Sequence, residues 1–484
     1  MRGTVLTDGT IVEERRELPV TREVDVLVAG GGTAGLVAAV AAARRGARTL
    51  LVERNGFMGG AITAAMMAQI SAGAVAITGI GREIVDRLNA MGGVEGSFLI
   101  PIDPEAFKLI ALEMLNEVGA ETLLYTSVVG TLLQGNRVHG VIVENKSGRQ
   151  AIRAKVTIDA TGDGDVCAWA GAPIVKGRES DGKMRPVSII FKMAGVDIPG
   201  MVRYAREHPE QFAPDPKYHI VDLEHGLVRM VGYFDLVEKA KQNGELFPDC
   251  HYIRVEGVIV ERGTVLINAT RVYGVDATDA AQISRAELEA RRQAFQVAAF
   301  MRNYVPGFEK AYLAETASSL GIRETRHVIG DYLLAEEDIL NDVSFPDAVV
   351  RSFKRQLPGE PSHSPDAGEG AATDPSARSA IAPVLGFSIP YRSFLPRGLE
   401  GILVTGRCIS QTHKADGYTR LQSTVWAMGE AVGVAAALAV REGASPRQML
   451  DRVSSIREAL ASQGFGLTDE DFPKVMAARK AGIA

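Results

Sequence analysis

The sequence has few cysteines, no basic cluster and no uninterrupted apolar run long enough for a membrane span, and each absence excludes a class of function. The 484 residues include three isolated cysteines and no Cys-x-x-Cys pair. This argues against an iron–sulfur cluster or a redox disulfide and suits a reducing cytoplasm. A formal net charge of −6 without a basic run argues against a nucleic-acid partner. No His-x-His or His–carboxylate cluster indicates a metal site.

The two longest apolar stretches, residues 24–43 and 425–440, are both interrupted by glycines, and the second contains Glu430. We expect both to be buried core elements rather than membrane spans. The first 21 residues carry early acidic residues and no apolar core before a cleavage site, so no signal peptide is predicted. Because the chain is too long for one hydrophobic core, two or three domains are expected.

The most informative motif is an apolar strand that runs directly into three glycines with the spacing G-x-G-x-x-G, at Gly30, Gly32 and Gly35. An alanine-rich helix follows, and a second strand ends on Glu53 about twenty residues further on, as a dinucleotide-binding unit requires. Gly30 permits the turn, Gly32 lets a pyrophosphate approach the backbone, and Gly35 lets the helix pack on the strand. The helix N-terminus then presents free N–H groups to the phosphates, and Glu53 can accept hydrogen bonds from the ribose hydroxyls.

The rest of the chain predicts an α/β protein with a Rossmann-like dinucleotide-binding domain, a β-meander, and an inserted α+β cap. Residues 123–133, 138–145 and 149–158 read as the three strands of the meander. In the cap, residues 186–194 and 253–272 alternate like antiparallel strands, and residues 280–304 form an amphipathic helix. The predicted boundaries are an N-terminal arm (1–23), the first part of the nucleotide domain (24–170), the cap (171–330), a connector (331–380) with a flexible loop (357–379), the second part of the nucleotide domain (381–443) and a C-terminal helical tail (444–484).

Four separated segments share one design, an apolar strand that stops at a glycine or an acid; they are residues 24–35, 48–63, 156–165 and 401–407. In a parallel sheet such ends converge at one edge, where ligands bind. No second G-x-G-x-x-G occurs in residues 171–330, so a dedicated NAD(P) domain is not predicted.

These segments resemble FAD-dependent oxidoreductases of the two-dinucleotide-domain, glutathione-reductase-like fold. The likeness is to the branch that includes fumarate-reductase flavoproteins and thiazole-synthase-like proteins. The resemblance extends over about residues 22–443, and it rests on the motifs at residues 30–35, 53–60, 159–165, 321–326, 401–410, 420–424 and 427–431. It is least clear in the cap and in the loop at 357–379.

The resemblance implies FAD, held non-covalently because no His or Cys lies near residues 60–63. The helix that begins at about Gln422 is expected to direct its N-terminal amides toward the flavin, although plain core packing is the alternative. The residues expected to contact FAD are Gly30, Gly32, Thr33, Ala34, Gly35, Glu53, Arg54, Gly59, Gly60, Thr63, Val128, Thr161, Gly162, Gly406, Arg407, Gln422 and Ser423.

Four residues are candidates for the substrate chemistry, and each has a structural alternative. Arg420 resembles an arginine that holds a substrate carboxylate in fumarate-reductase relatives. His413 is the predicted acid or base because an imidazole titrates near neutrality, but a solvated loop histidine fits equally. Arg323 at the cap junction either binds substrate or forms a structural ion pair, and Tyr391 either supplies a phenol or packs in the core.

The function predicted from the sequence is hydride transfer between a small organic substrate and FAD, with an unknown electron donor or acceptor. We also expect a cytoplasmic protein that does not bind a membrane and that can form a homo-oligomer. The alternatives are a nucleotide-binding carrier or assembly protein without turnover, and a flavin monooxygenase. The second is disfavoured because Thr405-Gly406-Arg407-Cys408 stands where a Gly-Asp-Ala-Ala-His-type element is expected.

Overall fold

Strands and helices alternate through most of the chain in the computed structural model, which describes residues 5–7, 10–12, 17–67, 69–71, 76–92, 99–213, 219–223, 227–355, 364–366 and 384–480. The strands in chain order are β1 (Val5–Thr7), β2 (Thr10–Val12), β3 (Val20–Ala29), β4 (Thr49–Val52), β5 (Gln69–Ser71), β6 (Leu99–Pro101), β7 (Glu121–Leu123), β8 (Ser127–Gln134), β9 (Arg137–Asn145), β10 (Gly148–Asp159), β11 (Ile174–Lys176), β12 (Phe191–Ala194), β13 (His219–Asp222), β14 (Leu227–Gly232), β15 (Ile253–Ile259), β16 (Thr264–Ile267), β17 (Tyr312–Thr316), β18 (Arg326–Val328), β19 (Ala348–Arg355), β20 (Val384–Pro390) and β21 (Ile402–Val404). The helices are α1 (Thr33–Arg44), α2 (Gly79–Ala90), α3 (Pro104–Glu117), α4 (Asp165–Trp169), α5 (Ile198–Glu207), α6 (Phe234–Gln242), α7 (Ala280–Tyr304), α8 (Glu336–Leu340), α9 (His413–Thr419), α10 (Gln422–Arg441), α11 (Val453–Ala461) and α12 (Pro473–Lys480).

The central sheet has the strand order β7-β4-β3-β10-β9-β8, and β21 also pairs with β10. The pairs β3–β4, β4–β7, β3–β10 and β10–β21 are parallel. The end of β3, from Val26 to Ala29, is fully buried, as a strand covered on both faces of a parallel sheet must be. This Rossmann-like core confirms the predicted fold class.

The predicted meander is present, and it is continuous with the parallel sheet. Strands β8, β9 and β10 pair antiparallel in sequence. The second half of β10 then runs parallel to β3. The long strand therefore carries the chain from the meander to the ligand-binding edge of the sheet.

The inserted cap forms its own antiparallel sheet, with the order β13-β14-β15-β16-β12-β17. A hairpin joins β15 to β16, and Gly263 adopts a left-handed conformation there (φ 57°). Helix α7 covers residues 280–304, as predicted. Strands β11 and β18, at which the chain enters and leaves the cap, pair with each other, so both crossings lie at one junction.

Helices α1 and α10 cross at close range because glycines of α10 face alanines of α1. A Cβ at Gly429 would lie 2.3 Å from the carbonyl oxygen of Ala34, and one at Gly433 would lie 2.3 Å from that of Ala38. The two contacts advance in the same direction, so the helices are parallel and begin at the same side of the sheet.

Helix α10 is long and apolar enough to span a membrane, but 89% of its apolar window is buried inside the protein.

The chain beyond the cap returns to the core and continues into further helices. Strands β19 and β20 form an antiparallel pair. The loop predicted at 357–379 lies outside the described residues except for 364–366. Beyond residue 444 the chain contains α11 and α12.

Candidate active site at the edge of the sheet and the cap junction

The carboxyl ends of four strands meet at one edge of the sheet. Ala29 pairs with Val52 on one side and with Asp159 on the other, and Asp159 pairs with Val404. These are the four segments that the sequence analysis expected to converge. Their ends form the crevice where open α/β sheets bind ligands.

The first turn of the motif has glycines for two different reasons. Gly30 has φ 106°, and a Cβ on Gly35 would lie 1.9 Å from the carbonyl oxygen of Gly30. Both positions are therefore required by the backbone. A Cβ on Gly32 would meet no protein atom within 4 Å. Gly32 thus borders open space at the start of α1, which leaves room for a phosphate beside the helix N-terminus.

Glu53 is buried at the end of β4 and points its carboxylate back to this turn. Its Oε2 accepts from the amide of Gly31 at 2.7 Å, and its Oε1 accepts from the amide of Asn55 at 2.8 Å. The amide of Thr126 donates to the carbonyl of Glu53, which brings the segment that contains Val128 beside this acid. Neighbouring Arg54 is exposed.

The segment after Glu53 passes directly against the turn. Gly60 has φ 49°, and a Cβ there would lie 3.0 Å from the Cα of Gly32. The hydroxyl of Thr33 donates to the carbonyl of Gly59 at 3.3 Å, and that of Thr63 donates to the carbonyl of Met58 at 2.7 Å. The two backbone segments therefore form one cradle.

The N-terminus of α10 extends beyond that of α1. Since Ala34 lies opposite Gly429, α10 begins about 9 Å further toward the cap, at 1.5 Å per residue. The Oε1 of Gln422 and the Oγ of Ser423, in the first turn, are buried and have no hydrogen-bond partner among the described residues. Buried polar atoms without partners are costly, so these atoms suit a polar ligand. Gly406 packs close to Ala34, since its Cβ would lie 3.2 Å from that of Ala34.

The loop after β10 is held by its own side chains. Asp159 accepts from the amide and the hydroxyl of Thr161, at 3.1 and 2.7 Å. The guanidinium of Arg407 donates to the carbonyl of Gly162 at 2.8 Å and to that of Ile322. Because the side chain of Arg407 is engaged with protein oxygens, the geometry gives no support to its expected contact with the cofactor. It instead ties this loop to the segment that returns from the cap.

A group of charged side chains, here called the junction cluster, lies where the cap meets the core. Its members are Arg185, Arg323, Glu324, His327, His413, Asp416 and Arg420. The cap segment also touches the cradle side of the core, because the hydroxyl of Ser318 donates to the carbonyl of Ala64 at 3.1 Å. The segment that leads to Arg323 and Glu324 therefore passes the residues that follow Thr63, and Arg420 lies two residues before the start of α10.

Glu324 is at the centre of the cluster and is fully buried. His413 places Nδ1 2.8 Å from both carboxylate oxygens, and the Nε2 of His327 lies 3.1 Å from Oε1. Burial alone would raise the pKa of Glu324, but the hydrogen bonds from His327 and His413 hold it well below its usual range. An ionised carboxylate at Nδ1 favours the tautomer with the proton on Nδ1, so Nε2 of His413 is left to accept a proton. His413 is buried, so the alternative of a solvated loop histidine is wrong.

Asp416 connects the arginines of the cluster. Its Oδ2 lies 3.0 Å from the Nε of Arg185 and 3.9 Å from the Nε of Arg420. Arg185 is almost completely buried and also donates from Nη2 to the carbonyl of His413 at 2.6 Å. Burial is the main reason that the pKa of Arg420 falls to about 10, and the charge of Asp416 opposes this. Asp416 and Arg185 therefore fix the helix that carries His413 and precedes Arg420.

Arg323 is buried, and its hydrogen-bond partners among the described residues are neutral. Its Nη2 donates to the hydroxyl of Ser188 at 2.9 Å and its Nη1 donates to the carbonyl of Pro186. Burial, followed by the positive charges of Arg420, Arg271 and Arg254, lowers the pKa of Arg323 to about 9. No ion pair joins it to a described residue, so the structural ion pair considered from the sequence is not what holds Arg323.

Tyr391 lies apart from the junction cluster in its contacts. The ring is fully buried in the main hydrophobic core, and the hydroxyl donates to the carbonyl of Pro446 at 2.8 Å. Burial raises the pKa of this phenol. The structure thus corrects the expectation of a catalytic phenol, because the proton of Tyr391 is already used in a core hydrogen bond.

Sequence reasoning missed Arg185, His327 and Asp416 as members of the site. The spacing of Asp416 and Arg420 by one helical turn was a usable signal, as was the spacing of Glu324 and His327. Nothing local marked Arg185, which reaches the cluster from the other cap crossing. In the described part of the chain no group of three or more His, Cys, Asp or Glu side chains is arranged to hold a metal ion.

A surface groove of about 660 Å³ on the outer side of α7 is separate from these residues. It is lined by exposed Leu288 and Phe295 and by Arg291, and it contains no member of the junction cluster. The sheet edge and the junction differ from this groove in that buried, converging polar groups lie there.

A family model described as FAD dependent oxidoreductase matches residues 25–460. The chain belongs to this family. FAD is therefore its cofactor, and the chain is an FAD-dependent oxidoreductase by family. The open space at Gly32, the buried acid Glu53 and the unpartnered atoms at the start of α10 fit a dinucleotide with a polar ring system.

Two curated relatives match part of the chain. Thiamine thiazole synthase from Aeropyrum pernix is 29% identical over 197 residues, which cover 37% of this chain and 70% of that protein. Digeranylgeranylglycerophospholipid reductase 1 from Methanococcoides burtonii is 25% identical over 197 residues, which cover 36% of this chain and 45% of that protein. The second match thus spans less than half of the relative's length.

Among solved structures, the chain is similar to a geranylgeranyl bacteriochlorophyll reductase-like protein from Thermoplasma acidophilum. The identity is 12%, the TM-score is 0.48, and the match covers 96% of this chain and 98% of the other. The substrate of the present oxidoreductase is not indicated by this likeness.

Proposed function

We propose that this oxidoreductase transfers a hydride between a small organic substrate and FAD, with the substrate held at the junction cluster. FAD supplies the hydride-accepting or hydride-donating position at flavin N5 when it is bound. The further assignment to the branch of fumarate-reductase and thiazole-synthase-like flavoproteins is part of the same proposal. So are a non-covalent cofactor, a cytoplasmic location and a homo-oligomer.

In this proposal the two parallel helix N-termini hold the two halves of the cofactor. The amides at Thr33 and Ala34 face the pyrophosphate, and Glu53 receives the ribose hydroxyls. The amides and side chains of Gln422 and Ser423 face the electron-rich edge of the ring, where the positive end of the α10 dipole favours negative charge. The backbone at Gly59 and Gly60, the meander near Val128 and the turn at Thr161, Gly162 and Gly406 enclose the remaining surface.

The chain itself supplies the proton and the orientation of the substrate. His413, with Nδ1 held by Glu324, has Nε2 available to take or give a proton. Arg420 and Arg323 adjoin it and donate hydrogen bonds to the substrate. The observation that carries the proposal is this buried histidine–carboxylate pair beside arginines, at the place where the cap meets the start of α10.

The test is anaerobic bleaching of the flavin in the purified protein by panels of acids, alcohols and amines. We expect one panel to bleach the flavin, and we expect His413→Ala and Arg420→Ala to slow this bleaching while they retain FAD. Loss of a general acid or base typically costs about 100-fold or more. Lys414→Ala is the matched control, because Lys414 is adjacent to His413 but its side chain is mostly exposed.

Three results would contradict the proposal. If the purified protein binds no flavin, hydride transfer to FAD is ruled out. Bound flavin that no compound in any panel bleaches would favour a carrier without turnover. Bleaching that is equally fast in His413→Ala, Arg420→Ala and the Lys414→Ala control would place the chemistry elsewhere.

A further inference from the structure

Three arginines on the cap side of the junction carry positive charge without an acidic partner among the residues that the structure describes. They are Arg254 on β15, Arg271 just after β16, and Arg323. The guanidinium of Arg271 contacts the hydroxyl of Tyr252, and its carbon lies 4.8 Å from the centre of that ring. Arg323 contacts one hydroxyl and one carbonyl. The Nε of Arg254 is buried, and Arg254 forms no side-chain hydrogen bond or ion pair with any residue in the described ranges.

The backbone brings these three arginines together from separate strands. The amide of Asn268, three residues before Arg271, donates to the carbonyl of Arg254 at 2.9 Å. Val187 pairs with Val272, and the next residue, Ser188, pairs with Gly321. The residues that adjoin Arg271 and Arg323 therefore lie on either side of one short segment, residues 187–188. The guanidinium of Arg323 spans this segment through its bonds to residues 186 and 188.

The electrostatic surroundings agree with an excess of positive charge. The pKa of Arg323 falls to about 9, first because the group is buried and then because of the charges of Arg420, Arg271 and Arg254. A buried arginine that is next to other arginines is poorly stabilised until an anion reaches it.

The nearby carboxylates do not neutralise these arginines. Glu324 is contacted by two histidines, and Asp416 is contacted by Arg185. Glu256 is buried on β15, where it accepts from the side chain of Asn268 at 3.1 Å, and it forms no ion pair with Arg254. Among the described residues of this region, the cationic groups therefore outnumber the acidic groups.

We propose that Arg254, Arg271 and Arg323 form a pocket for an anionic group of the substrate, a carboxylate or a phosphate. This inference rests on the proposed function, since it names the substrate class of the same site. Guanidinium groups bind both anions through paired hydrogen bonds. Arg254 is the most informative member, because its side chain has no partner to lose in the described part of the chain. An anionic group in this pocket would direct the rest of the substrate toward Arg420 and His413.

The experiment titrates the FAD-loaded protein with malonate, with inorganic phosphate and with the neutral analogue malonamide. The readouts are the visible spectrum of the flavin and the temperature of thermal unfolding. We expect one or both anions to perturb the spectrum and to raise the unfolding temperature, because a ligand that binds only the folded state stabilises it. Malonamide should do neither. A stronger response to malonate identifies a carboxylate substrate, and a stronger response to phosphate identifies a phosphate ester.

The decisive variant is Arg254→Gln. It should weaken anion binding by about tenfold or more, as expected for one charge-assisted hydrogen bond. It should also raise the unfolding temperature of the ligand-free protein, because it removes an unpaired cation. A merely structural arginine would have the opposite effect on stability. Arg262→Gln is the matched control from the exposed hairpin of the same strands, and it should change neither property.

The inference is overturned if neither anion binds the wild-type protein. It is also overturned if Arg254→Gln binds the anions as wild type does, or if it lowers the unfolding temperature. These results are distinct from a failure of the proposed function. If the anions bind but no compound bleaches the flavin, hydride transfer fails and the pocket stands. If neutral compounds bleach the flavin and no anion binds, the proposed hydride transfer stands and the anion pocket fails.

Discussion

Glu430 offers a quantitative test of the packing that positions the start of α10. Its carboxylate is buried in the middle of this helix, where Oε2 accepts from the amide of Ile80 at 2.8 Å and Oε1 accepts from the side chain of Gln463 at 3.3 Å. Burial raises its pKa from 4.5 to about 7, and these hydrogen bonds oppose the rise only partly. The folded protein therefore holds a proton on Glu430 that the unfolded chain has already released.

The sign and the size of the effect follow from this difference. Because the folded state binds more protons than the unfolded state between pH 4.5 and about 7, stability falls as the pH rises through this range. At 1.36 kcal/mol per pKa unit, the difference corresponds to about 3 kcal/mol lost by pH 8. Glu430→Gln keeps the shape and removes the titration, so it should stabilise the protein at pH 8 and have little effect at pH 5.

The assay is thermal unfolding of wild type and Glu430→Gln at several pH values from 5 to 8, with saturating FAD. Glu458→Gln, at an exposed position of α11, is the matched control and should follow wild type. If wild type and Glu430→Gln lose stability in parallel as the pH rises, the carboxylate does not carry the extra proton and this reasoning is wrong.

Three further predictions concern the cradle, the helix pair and the cluster. Gly32→Val should abolish FAD binding with little change in the unfolding temperature of the FAD-free protein, and equal FAD content in this variant and wild type would contradict that prediction. Gly35→Ala should destabilise the FAD-free protein by about 1–3 kcal/mol, because the added Cβ has no room. Gly433→Leu should separate α10 from α1 and lower both FAD content and unfolding temperature, and retention of both would refute the close crossing. Glu324→Gln should cost about 3 kcal/mol at pH 7 in chemical denaturation. Because the pKa of Glu324 is held low in the fold, this cost should shrink as the pH falls below 4.5, and a constant cost would show that His413 does not depend on the charge.

The strand–turn–helix unit and the acid that follows it could be predicted from the sequence because their determinants are local. Gly30 is required by the turn and Gly35 by the start of the helix, and both lie within one strand–turn–helix unit. Glu53 ends the next strand. The predicted long helices agree with the structure to within a few residues for the same reason. Gly433 was not recognised, since its contact partner on α1 lies nearly four hundred residues away.

The junction cluster could be predicted only in part, because it is assembled across the two cap crossings. Arg420 and His413 stood out as residues near a motif, but the carboxylate that holds His413 comes from the cap return, and Arg185 comes from the cap entry. Such pairs depend on tertiary packing rather than on spacing. Tyr391 shows the same limit, because the sequence alone does not determine that its hydroxyl donates to the carbonyl of Pro446.

The most direct test of the account is a crystal structure of the purified protein with FAD bound. The account predicts the pyrophosphate at the amides that follow Gly32, the ribose hydroxyls at Glu53, and the flavin ring between the start of α10 and His413. A structure in which the ring lies away from the junction cluster, or in which Glu53 faces an empty crevice, would contradict it.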